Sequence, residues 1–111
     1  EASTEQLLAM MPRPTAIVAG GNQVLAGCVR ALVRNGVRIP DDISLVTCDE
    51  VALSELHSPP IASVGRDTLA LGRVAAELLL ERLAGSAEPR TVLLPTTFTP
   101  RSSSGPVAAE S

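Results

Sequence analysis

Two hydrophobic periods alternate along the chain. Residues 15–20 (TAIVAG) and 43–48 (ISLVTC) are short, continuous apolar runs with β-branched members, the pattern of strands covered on both faces. A third short strand is predicted at 61–64 (IASV), after Ser58-Pro59-Pro60, and a last extended segment at 91–99. Between them the spacing turns helical. Residues 3–11 read as the end of a helix that Pro12 and Pro14 stop. Residues 23–35 form a helix ending at Asn35-Gly36, residues 50–56 a short helical or irregular piece, and residues 67–83 a long helix with Asp67 as N-cap and Gly85 just past its end. Gly20-Gly21-Asn22 and Pro40-Asp41-Asp42 are turns.

Strand, helix, strand, helix implies an α/β fold: a small parallel sheet with helices on both faces. The 111 residues suffice for one domain or less. The chain opens inside a helix without the strand expected before it, so the expectation is one lobe of a larger protein. That lobe is placed at 1–101, followed by a flexible C-terminal tail at 102–111.

The 23–35 helix is apolar over an arc of roughly 220°, whereas one sheet face needs only about 100–140°. The excess stripe, Ala26-Val29-Val33, has to be covered by another helix of the same domain or by a second subunit. The 67–83 helix carries Leu71, Val74, Ala75, Leu78, Leu79 and Leu83 as its inward face.

Charge narrows the functions. Nine arginines against twelve acids give a net charge of −3, with no lysine and no basic stripe, so the domain itself is a poor binder of phosphate backbones. Phe98 is the only aromatic residue, which removes stacking platforms for bases or sugars. Cys28 and Cys48 have neither metal-ligand spacing nor a disulfide framework, a usage compatible with the cytoplasm. No apolar run approaches the ~18 residues of a membrane helix. No catalytic set is visible, since the single histidine, His57, has no acid partner fixed by sequence. Gly20-Gly21 lacks the spacing of a phosphate loop, and the acidic pairs at 41–42 and 49–50 lack that of a Ca²⁺ loop. No cofactor or metal is implied.

The polar residues that stand out follow strands. Asn22 comes after the first, Asp49 and Glu50 after the second, and Arg66 and Asp67 after the third. In open α/β sheets, ligands bind outside the carboxyl ends of the strands. Asn22 offers a donor and an acceptor, Asp49 accepts from hydroxyls or amines, and Arg66 presents a donor fork. Each has a plainer alternative: Asn22 and Asp67 as helix caps, Asp49 bonded to its own loop, Arg66 as a surface charge.

Several motifs carry a resemblance. Pro14-Thr15-Ala16-Ile17, Gly27-x-x-Arg30-Ala31-Leu32 and Gly36-x-x-Ile39-Pro40-Asp41-Asp42-Ile43-Ser44-Leu45-Val46 are followed by Asp49-Glu50, Pro59-Pro60, Leu71-Gly72, Leu78-Leu79 and Leu94-Pro95 with Arg101-x-Ser103. Together, nearly without gaps from 12 to 103, they resemble the LacI family of bacterial transcription regulators. The resemblance implies the C-terminal lobe of a periplasmic-binding-protein-like effector domain, acting as a cytoplasmic homodimer. It would bind a small sugar or nucleoside-like effector and reach operator DNA only through an N-terminal helix-turn-helix outside this sequence. It implies no enzyme and no membrane partner. Asp49, Asn22, Arg66, Gly21, Cys48 and Thr68 then become effector-site residues, and Ala26, Val29, Val33 and His57 dimer-interface residues. Four positions depart from the family pattern. Gly21-Asn22 stands where an Asn-Asp pair is usual, Cys48 where an aromatic precedes the acid, and Thr68 where a bulky residue is common. Pro100 replaces a usual strand residue and removes a backbone donor, so the last strand should fray or kink there. The alternative is a lobe of an exported solute-binding protein that serves a transporter; a third class is an enzyme of doubly wound fold.

Overall fold

The computed structural model describes residues 1–109. Its elements run α1 (Ala2–Leu8), β1 (Ala16–Ala19), α2 (Asn22–Arg34), β2 (Ser44–Cys48), α3 (Ala52–Leu56), β3 (Ala62–Arg66), α4 (Thr68–Leu83) and β4 (Thr96–Thr99). The four strands form one sheet in the order β1-β2-β3-β4. β1 pairs with β2 in parallel, Ala16 opposite Ser44 and Ala19 opposite Thr47. β2 pairs with β3 in parallel, Val46 opposite Ala62 and Cys48 opposite Val64. β4 ends at Thr99, directly before Pro100.

The chain divides into two compact units. One comprises Glu1–Gly65 with Phe98 onward; the other is Arg66–Thr97. In the first, one face of α2 closes on the sheet. Leu25 and Leu32 of α2, Leu45 of β2, and Ile43 and Ile61 beside the strands are fully buried, with Cys28, Ile17, Ala19 and Leu8 completing the cluster. Each such aliphatic side chain contributes roughly 1.5–3 kcal/mol by leaving water. Burial pushes the Cys28 thiol above its ordinary value, so this cysteine acts as a core residue.

Two expectations about helix ends hold. Gly36, at φ +64°, ends α2, with the Gly36 N–H donating to the Val33 carbonyl and the Val37 N–H to the Leu32 carbonyl. Asp67 caps α4 by accepting from the Ala70 N–H at 3.0 Å.

Other readings change. β1 alternates exposed and buried residues, and Val18 is 67% exposed, so its apolar run is not matched by burial on both faces. The proposed inward face of α4 is not buried either: no residue of that helix is, and Leu79 and Leu83 are largely exposed. The physical reason is size, since a 32-residue unit (66 to 97) has too little chain to enclose a core. The segment after 101, expected to be loose, is anchored at its start. Ser103 is fully buried, and Gly105 exchanges hydrogen bonds with the Ser44 side chain.

The wide apolar arc of α2 is accounted for in part. α1 packs against it at Gly27, where an added Cβ would lie 2.8 Å from the Glu1 backbone nitrogen. Val29 packs against the core, whereas Val33 stays 68% exposed.

Candidate effector-binding rim

The parallel register brings the ends of β1 and β2 to the same edge of the sheet. With Ala19 opposite Thr47, Gly21 and Asn22 leave one strand where Cys48 and Asp49 leave the next. Gly21, not Asn22, occupies the N-cap position of α2, and no side chain bonds there, so the Asn22 amide is exposed and not engaged in capping. Asp49 is half-buried, and its N–H donates to the Val64 carbonyl at 2.8 Å, extending the β2–β3 ladder by one residue. Its φ of +70° is the one left-handed value at a non-glycine position among the described residues. Aspartate tolerates this region better than most side chains, and such conformations concentrate at functional sites. Arg66 and Thr68 begin the second unit, Arg66 closing β3 and Thr68 opening α4. His57 ends α3 with Nδ1 2.8 Å from the Pro59 carbonyl oxygen, a local contact that orients the ring.

Both acidic pairs prove to be clamps. Arg38 binds Asp42 through its backbone N–H, Nε and Nη2, holding the Asp42 carboxyl below the usual range. Glu50 gathers more distant partners. Its Oε1 accepts from Ser54 at 2.9 Å and from Arg101 Nη2 at 2.7 Å, while its Oε2 accepts from the Ser63 hydroxyl. Arg101 also donates through Nη1 to the Ile61 carbonyl at 2.8 Å. The Ser63 and Arg101 hydrogen bonds hold the Glu50 carboxyl below its ordinary value of 4.5. Sequence reading missed this cluster. Its signals were the Asp49-Glu50 and Arg101-x-Ser103 motifs, to which it assigned no mutual contact.

The sign of the shift sets a pH dependence. A depressed folded-state pKa stabilises the fold above the unfolded value, and that contribution is lost as pH falls through the folded value. The stability difference between the wild type and Glu50→Gln is therefore expected to be constant from pH 7 down to about 5 and to shrink below 4.5. Urea midpoints at successive pH values measure it, and a difference that stays flat to pH 3 would contradict the clamp.

Strands β1, β2 and β3 run parallel, and in open α/β sheets the carboxyl edge of such strands is where ligands bind. Among the described residues, no group of His, Cys, Asp or Glu is placed to hold a metal ion, and no helix is long and apolar enough to cross a membrane. The model of the periplasmic binding protein-like domain family matches residues 1–104. The chain is 35% identical over 99 residues to the lactose operon repressor of Rhizobium radiobacter, covering 89% of this chain and 88% of that protein. It is 32% identical over 88 residues to the HTH-type transcriptional repressor PurR of Vibrio parahaemolyticus, covering 79% of this chain and 26% of that relative, about a quarter of its length. Among solved structures, the transcriptional regulator CelR in complex with cellobiose superposes with a TM-score of 0.81 at 32% identity, over 92% of this chain and 32% of that one. The lac repressor dimer bound to operator and the anti-inducer ONPF gives 0.76 at 30%, over 93% and 36%. The chain belongs to the periplasmic binding protein-like domain family of LacI-type transcriptional repressors.

Proposed function

We propose that this chain is the effector-sensing part of a LacI-type repressor that works in the cytoplasm as a homodimer and performs no catalysis. A small polyhydroxyl metabolite, a sugar or a nucleoside, binds at the rim. Asp49 is the principal acceptor, Asn22 contributes a donor and an acceptor, and Gly21 and Cys48 form the adjoining wall. The effector shifts operator affinity only as far as it prefers one conformation of the regulator over the other. The observation that carries the reading is the left-handed Asp49 at the carboxyl end of β2. The likeness to CelR, a regulator solved in complex with cellobiose, supports a sugar-sized ligand.

The test is a thermal-shift screen of the full-length protein against lactose, cellobiose, D-ribose, adenosine and guanosine. At least one compound should raise Tm progressively with concentration, because ligand binding to the folded state stabilises it. The same compound should change operator binding in a gel-shift titration. No Tm rise with any of the five would contradict the reading.

The exposed Val33 on α2 is proposed as part of the dimer contact, together with Ala26, Val29 and His57. Val33→Asp in the full-length protein should raise the dimer dissociation constant at least tenfold, about 1.4 kcal/mol, because it puts an unpaired charge into an apolar contact. Sedimentation velocity reads this out, and an unchanged sedimentation coefficient across dilution would remove Val33 from the interface.

A further inference from the structure

Glu50 has a role that neither the rim nor the core explains. Its carboxylate uses both oxygens and draws its partners from three separate stretches: Ser54 on α3, Ser63 on β3, and Arg101 beyond β4. Arg101, whose side chain is only 18% exposed, carries the contact on to the Ile61 carbonyl at the start of β3. The residue immediately before Glu50 is Asp49, in a left-handed backbone conformation that is uncommon outside glycine. On one side the Asp49 N–H is fixed to Val64. On the other, the next side chain is fixed by the clasp. Ser63 lies on the strand by which the chain leaves the first compact unit, and Arg101 on the segment just after it returns.

We infer that Glu50 and Arg101 are positioning residues: their ion pair, with Ser54 and Ser63, holds the Asp49 turn in the left-handed conformation that presents its carboxylate at the rim. The inference deepens the effector reading and rests on it for the purpose of the turn. The geometry of the turn itself is testable without any ligand. A carboxylate held by two hydroxyls and a guanidinium is a directional anchor, because each donor approaches from a fixed element. Glutamine at position 50 keeps one acceptor oxygen but loses the charge and the second acceptor, so the turn relaxes to ordinary backbone angles. Lysine at 101 keeps the charge but cannot also span to the Ile61 carbonyl.

Cys48, half-buried and adjacent to Asp49, reports on the turn, with the buried Cys28 as internal reference. In the full-length protein, iodoacetamide labelling of each cysteine is followed by peptide mass spectrometry for the wild type, Glu50→Gln, Arg101→Leu, Arg101→Lys and the distant core variant Leu8→Ala. The expected result is a roughly tenfold faster reaction at Cys48 in Glu50→Gln and Arg101→Leu, a smaller rise in Arg101→Lys, and no rise in Leu8→Ala, with Cys28 unchanged in the clasp variants. A Cys48 rate that stays at the wild-type value, or that rises as much in Leu8→Ala, overturns the inference. The same proteins are then titrated with lactose, cellobiose and D-ribose. Weaker binding of a sugar by Glu50→Gln than by wild type supports the positioning role, and equal binding overturns it. Faster Cys48 labelling with no sugar bound by the wild type supports the anchored turn while sinking the effector reading.

Discussion

Replacing Ser103 by alanine is expected to destabilise the fold by about 2–6 kcal/mol, because two buried backbone groups lose their partner at once. The Ser103 hydroxyl accepts from the Ala62 N–H at 2.8 Å and donates to the Leu45 carbonyl. Its own carbonyl accepts from the Leu45 N–H at 2.9 Å. A single residue thus bridges β2 and the start of β3 below the point where their own pairing begins, Val46 opposite Ala62. The site is fully buried, and deleting one hydroxyl oxygen leaves too little room for a water to take over both bonds. Each orphaned polar group then costs roughly 1–3 kcal/mol. Urea unfolding should show a lower midpoint at an unchanged slope. Ser102→Ala, one exposed position away, should shift stability by no more than about 0.5 kcal/mol. A loss of similar size at Ser103 would mean that the bridge does not form.

Ser103 also shows where sequence stops informing. It lies in a run of serines with no periodicity, and the pattern there reads as a loose tail. Its partners sit 41 and 58 residues away, and separations of that size leave no local signal. The Glu50–Arg101 pair, 51 residues apart, was hidden for the same reason. What is read easily is local. The stop of α2 follows from Asn35-Gly36 because a left-handed residue is needed there, and the cap of α4 follows from Asp67 because a short acceptor is needed before the first turn. The parallel sheet follows from the strand–helix alternation. Periodicity misleads only about what covers an apolar stripe. That of α4 promised a core and finds none among the described residues, and that of α2 is divided between α1, the sheet and open surface. At the rim, order along the chain placed Asn22 and Asp49 at the same sheet edge. It could not show that Gly21 rather than Asn22 caps α2, nor that Asp49 takes a left-handed backbone.

The second large effect concerns that aspartate. If effector hydroxyls donate to the Asp49 carboxylate, Asp49→Ala removes charged hydrogen bonds of about 1.5–3 kcal/mol in all, a weakening of roughly 10- to 150-fold. Alanine also fits φ +70° less well than aspartate, so part of the loss is a turn that no longer holds its shape. Asp49→Asn separates the two contributions. Asparagine tolerates the left-handed region and keeps one acceptor, so it should retain the turn and lose only the charge-assisted part of the binding. The expected order of affinity is wild type, then Asn, then Ala.

Isothermal titration of the effector found by thermal shift into the full-length wild type and Asp49→Ala tests the central claim most directly. The account predicts a dissociation constant at least tenfold higher for Asp49→Ala, in a protein that still unfolds cooperatively. Equal dissociation constants for the two proteins would place the effector elsewhere and contradict the account.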